Sequence, residues 1–303
     1  MGDDGPPMSR LLLPLAFATI LATPSLMGVV AERSQVGHAV AAAQDTRDPA
    51  GADGCRAGRL RCVDGVIAQM RRRFGALGRG CDHDAVFALT YLRTTEAYRR
   101  SAPKPGFFAD PRFVNHEDVV FARLYFDAHD AWRAGRHDAV PLAWRIAFGA
   151  ARDRDAPALG NMLLGINAHI QRDLPFVLAE IGLVSPDGTS RKPDHDRVNE
   201  FLDVLAGDVM REIAQRFDPS VLDTRLPEWA ERLGVENLVP AWRQTAWRNA
   251  ERLAAAPDAA ARREVARTIE HHAAAQARVI LTATGYGPFA ASSARDAHCR
   301  AAS

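Results

Sequence analysis

Over most of the chain, hydrophobic positions recur every three or four residues, the spacing that stacks side chains on one side of an α-helix. Val63, Val66, Ile67 and Met70 open a first helix that Gly75, Gly78 and Gly80 bring to an end. A second, capped by Asp82, runs to Arg99 with Val86, Phe87, Thr90, Tyr91 and Tyr98 on one long arc. Beyond the loop marked by Pro103, Pro105 and Gly106, Asn115 reads as the cap of a third helix, with Asp118 three residues on. Its inward face is Val120, Phe121, Leu124, Ala128 and Trp132, and Gly135 stops it. A short helix follows from Val140 to Phe148, with Pro141 in the first turn, where a missing N–H does no harm.

The stretch Asn161 to Leu178, NMLLGINAHIQRDLPFVL, is the one the rest is organised around. At 100° per residue Leu159, Met162, Ile166, His169, Asp173 and Val177 fall within one arc, so a histidine and a carboxylate one turn apart sit in the middle of an apolar stripe. The turn Ser185-Pro-Asp-Gly-Thr-Ser separates this helix from a long one entered at Arg191 to His195, whose face is Val198, Leu202, Leu205, Val209 and Ile213. Further helices are read over Leu226 to Leu233 and Val239 to Ala256, with Trp242 and Trp247 for packing. A last one spans Ala261 to Thr282, where Val265, Ile269, His272, Gln276, Val279 and Ile280 share a face. No alternating strand series, glycine-rich phosphate loop, Gly-x-Ser-x-Gly elbow or nucleic-acid-binding signature interrupts this pattern. The expectation is an all-α bundle of about eight to ten helices.

The ends differ from the middle. Arg10 precedes an apolar run from Leu11 to Leu21, broken by Thr23, Pro24 and Ser25 and followed by small residues at Ala39 to Ala43, so residues 1–43 read as a secretory signal. Continued through Val29, Val30 and Ala31, the same run is almost long enough for an uncleaved anchor, which would associate the protein with a membrane. Residues 44–58 read as a linker, 59–290 as the helical domain and 291–303 as a loose tail. The expected location is therefore secreted or in the cell envelope. Cys55, Cys62, Cys81 and Cys299 are an even number in an oxidising compartment, and disulfides are expected of them, with a bridge from Cys299 tying the ends together. With 38 basic and 37 acidic side chains, the formal net charge of +1 produces no global field toward nucleic acid or an anionic surface.

A buried carboxylate costs several kcal/mol unless a cation, hydrogen-bond donors or a metal compensates, so Asp173 requires a partner. In one reading His169 donates to it and the two form a satisfied polar plug. In the other, His169 and Asp173 are two ligands of a metal, and further ligands come from other helices. Candidates are Glu117, in the middle of the third helix's inward face, His116 and Asp127 on its flank, and His272 on the last apolar stripe. For the acids the competing reading is complementation of the helix dipole and surface charge; for His272 it is a hydrogen-bonded core histidine.

The segments HDAVFALTYLRTTEAY, HEDVVFARLY, AWRIAF and NMLLGINAHIQRDLPFVLA, taken over Cys62 to Ile280, resemble a mostly actinobacterial family of helical proteins of unknown function that carry an Asn-Ala-His-Ile signature. His169-Ile-Gln-Arg-Asp173, and His272 with Gln276, are more distantly similar to the His-x-x-x-Asp and His-x-x-x-Glu pairs of the zinc-dependent phospholipase C and P1 nuclease superfamily. That resemblance implies zinc or another divalent metal held by His169, Asp173, His272 and His116, and hydrolysis of a phosphoester. Glu117 or Asp127 would orient or deprotonate the metal-bound water, and the substrate would be a small molecule or phospholipid. The expectation from another class is a non-enzymatic envelope protein whose buried His-Asp pair fixes helix register.

Overall fold

The structure, a computed structural model, describes residues 55–222, 235–287 and 291–302. The expected leader, the linker as far as residue 54, and the helix read over Leu226 to Leu233 lie outside those residues. The described residues form ten α-helices and no strand, only a single antiparallel bridge between Val184 and Ser190. In chain order these are α1 (Leu60–Arg79), α2 (Ala85–Ser101), α3 (Pro111–Arg133), α4 (Leu142–Asp153) and α5 (Ala158–Asn167). Then come α6 (Leu174–Ile181), α7 (Lys192–Arg216), α8 (Val235–Ala254), α9 (Ala259–Thr284) and α10 (Ser293–Ala302). The all-α bundle read from periodicity is the observed fold. Among the described residues no helix is long and apolar enough to cross a membrane.

The Asn161 to Leu178 stretch is the central rod. It is covered on every side: α2, α4, α8 and α9 pack on α5, α6 or the segment between them, with α3 alongside. That segment, Ala168–Asp173, is π-helical, and all six of its residues are buried. The cause is local. Pro175 has no N–H to return to the Gln171 carbonyl, and just before it the Leu174 N–H reaches one residue further back, to His169 O.

Three expectations about elements change. The third helix begins at Pro111, four residues before Asn115, because Asp110 accepts from Phe113 N (3.0 Å) and proline is well placed at the first helical position. Asn115 is instead buried inside it, donating to Gly58 O and accepting from Tyr98 Oη. On α9 the buried face is Ala266, Ile269, Ala273, Ala277 and Ile280. Small alanines let the helix lie close against the rod, which rotates Val279 and His272 outward. Residues 293–302, read as part of a loose tail, form α10 with Arg295, Asp296 and Cys299 buried. The cysteines form disulfides as expected, one of them from Cys299; the pairs are Cys55 with Cys62 and Cys81 with Cys299, leaving none free.

Candidate binding cavity

Asp173 is wholly buried, and donors surround it. Its Oδ2 accepts from Trp144 Nε1 (2.8 Å) and faces His169 Nδ1 (3.2 Å), while Oδ1 accepts from Arg172 Nη1 (2.8 Å). Arg172 also donates from Nε to Glu270 Oε2, and Glu270 in turn accepts from the first amide of α4. The compensation that a buried carboxylate demands comes from the chain itself.

His169 stands between this network and open space. Its ring stacks on Phe121 with centroids 3.5 Å apart and planes 3° from parallel, and meets the Tyr91 ring edge-on at 4.4 Å. Burial holds its pKa below the usual histidine value, against the pull of Asp173, so the ring is neutral at neutral pH. With Nδ1–H committed to Asp173, Nε2 keeps a lone pair, and no group satisfies it.

His169 is part of the wall of a cavity of about 800 Å³ enclosed by α2, α3, α5, the π-helical segment, α7 and α8. Most of the wall is apolar: Leu159, Met162 and Ile166 from α5, and Val198, Leu202, Leu205 and Val209 from α7. Met162, Ile166, Leu202 and Leu205 are only half-buried although they belong to predicted inward stripes, because the space before them is this cavity. The lining reaches the surface at Ala206 and Leu222, both exposed.

Five of the lining side chains carry a buried polar atom without a partner: Tyr91 Oη, Glu117 Oε2, Asp118 Oδ2, His169 Nε2 and Arg243 Nε. Among the described residues the side chains of Glu117 and Asp118 make no hydrogen bond at all. Burial pushes the Glu117 carboxyl up to about 7, against the attraction of Arg243, and Asp118, beside Glu117, up to about 8. Arg243 donates from Nη2 to His195 O (2.7 Å) and to His195 Nδ1 (3.2 Å), and forms no ion pair with a carboxylate among the described residues. Its charge is felt by Glu117. Asp118 acts on both Tyr91 and Tyr98, whose hydroxyls burial holds un-ionised.

Of the residues singled out from sequence, His169 and Glu117 share the cavity wall, and Asp173 lies behind His169. His116 is half-buried on α3 outside the lining, Asp127 is exposed, and His272 is exposed at the edge of α9 that meets the rod, bonded to Gln171 Oε1 (3.1 Å). The donors for an ion do not assemble: among the described residues no three His, Cys, Asp or Glu side chains are grouped to hold one, and both oxygens of Asp173 are occupied by N–H donors, one from a guanidinium. The residues present do not fit the expected metal. Sequence reasoning missed Asp118, Arg243 and Tyr91. For Asp118 a signal existed: with the helix starting at Pro111, Glu117 and Asp118 are two turns in, beyond the first turn where a carboxylate complements the dipole. Arg243 sits between Trp242 and Gln244, and periodicity does not distinguish it from a solvated arginine.

No curated protein and no solved structure matches the chain, and the distant likeness to zinc-dependent phosphoesterases has no counterpart there. A family model described as "Family of unknown function (DUF5995)" matches residues 63–283, which take in the rod, the cavity wall and all of α9 but its last residue. Rod, cavity and the unpaired groups around it are therefore features of a chain that belongs to the DUF5995 family.

Proposed function

We propose that this protein binds, in the cavity between α2, α3, α7 and the rod, a predominantly apolar small molecule with one polar end. The observation that carries this reading is the coincidence of a large apolar void with unpaired, buried polar atoms on Tyr91, Glu117, Asp118, His169 and Arg243. A single unpaired buried polar group costs about 1–3 kcal/mol, and native interiors contain few of them. Several on one wall are a debt that a ligand's polar group would settle. The volume lies in the range of small-molecule sites, about 300–1,000 Å³, which are mostly apolar with a few placed polar groups.

The metal-assisted phosphoester hydrolysis suggested by resemblance receives no support from the donors present among the described residues. The rival expectation, a structural His-Asp pair, accords with the N–H groups that Trp144, His169 and Arg172 direct at Asp173. It leaves His169 Nε2 unexplained. Export is proposed alongside: two disulfides are compatible with an extracellular protein, and mature protein from its host would begin after residue 30.

Two measurements test the binding reading. Organic extraction and native mass spectrometry of protein purified without detergent are expected to release an apolar compound in stoichiometric amount. A neutral naphthylamine fluorophore is expected to bind saturably, and to lose about tenfold or more in affinity in Met162→Trp and Leu205→Trp, which fill the cavity. No extracted compound together with no saturable binding would overturn it.

A further inference from the structure

We infer that the polar end of the ligand is an ammonium group, so that the cavity takes an organic amine on an apolar body, seated against Asp118, His169 and Tyr91. The inference rests on the binding reading above and adds the chemistry of the head group.

Where Glu117 and Asp118 are ionised, above about pH 8, the unpaired groups are mostly acceptors. Glu117 Oε2 and Asp118 Oδ2 are carboxyl oxygens, His169 Nε2 carries a lone pair because Nδ1–H faces Asp173, and Tyr91 Oη accepts as readily as it donates. Only Arg243 Nε is a donor alone, and Arg243 is already turned toward His195. A carboxylate head would add acceptors to a wall already rich in them, and a hydroxyl brings one proton. An ammonium brings three donors and a charge. Charge counting agrees once both carboxyls are ionised, above about pH 8: Glu117 then offsets Arg243, which leaves Asp118 as the counterion for one more cation. Phe87, Tyr91, Tyr98 and Phe121 line the same cavity and make it an aromatic setting of the kind that favours a cation.

Ionisation then links to binding. Of the groups around the head site, the tyrosines on α2 stay neutral and burial keeps His169 and His195 neutral; Arg243 keeps its charge. On α7, Asp194 is held by the Ala109 and Asp110 amides and Asp196 by Lys192. Among the described residues around the head site, Glu117 and Asp118 are the groups that titrate around neutrality, at about 7 and about 8. An alkylammonium keeps its proton below about pH 10, so its affinity rises as these acids ionise.

The experiment displaces the neutral fluorophore with decylammonium, decanol and decanoate at about pH 6 and about pH 8.5, the two sides of that titration. Decylammonium is expected to gain about tenfold between the two pH values, decanol to stay level, and decanoate to weaken. In Asp118→Asn, and to a lesser extent in Glu117→Gln, the ratio of amine to alcohol affinity at the higher pH is expected to fall toward one. Decanoate as the tightest competitor, or an amine no better than the alcohol at either pH, would overturn the ammonium assignment while leaving the cavity reading intact. Failure of the fluorophore and of all three competitors would overturn both.

Discussion

Asp173 and Asp118 are both carboxyls in the interior, and they differ in what surrounds them. Asp173 accepts from Trp144, His169 and Arg172, so its removal leaves a buried guanidinium and an indole N–H without their acceptor. Asp173→Ala is expected to cost about 3–5 kcal/mol in urea unfolding, and Asp173→Asn, which still accepts, clearly less. Asp118 and Glu117 have no donors, and their effect has the opposite sign. Because burial raises their pKa values, the folded state holds their protons more tightly than the unfolded chain. Their protonation therefore favours folding, and stability falls as pH rises from the unfolded carboxyl range to about 8. Below about pH 4 both states are protonated and the effect is absent. Glu117→Gln and Asp118→Asn are thus expected to stabilise the unliganded protein by about 1–3 kcal/mol at pH 8 and by little at pH 4, read as the difference between unfolding curves at the two pH values.

At the scale of elements, the rod depends on close approach. Gly165 lies where α5 meets α2, and a Cβ there would fall 2.3 Å from Cδ2 of Phe87. Gly165→Ala is expected to cost about 1–3 kcal/mol and, by pushing a ring that lines the cavity, to weaken fluorophore binding as well. The helices themselves were legible because apolar residues repeat at the period of an α-helix and Gly, Pro and Asp punctuate them. Their phase was legible only where large residues mark the inner face, as on α7. On α9 the buried side is made of alanines, which a hydrophobicity stripe undervalues, and His272 came out on the wrong side of the boundary. The π-helical turn left no mark in the sequence beyond Pro175.

For the whole molecule, the Cys81–Cys299 bond closes a separation of 218 residues and carries α10 back onto the start of α2. There Arg295 donates to Ala156 O, Asn161 Oδ1 and His83 Nδ1, and His83 Nε2 faces Asp296 Oδ1. Cys55–Cys62 spans only seven residues. Replacing Cys81 and Cys299 by Ser is expected to cost about 4 kcal/mol and to free α10 to proteolysis, whereas the same change at Cys55 and Cys62 costs less, because a long closed loop restricts the unfolded chain more. The sequence by itself determined that the chain is helical, that its cysteines pair, that Asn161 to Leu178 is its centre, and that a carboxylate within that centre must be compensated; each follows from local period or from the cost of burying charge. Only the tertiary structure decided that Asp173's partners are Trp144 and Arg172 as well as His169, and that the apolar stripes of α5 and α7 face each other across a void. It alone brought Tyr91, Glu117, Asp118 and Arg243 to the wall that holds His169. A stripe reports which side of a helix avoids water, and whether that side meets another side chain or an empty space depends on where the neighbouring helices stop.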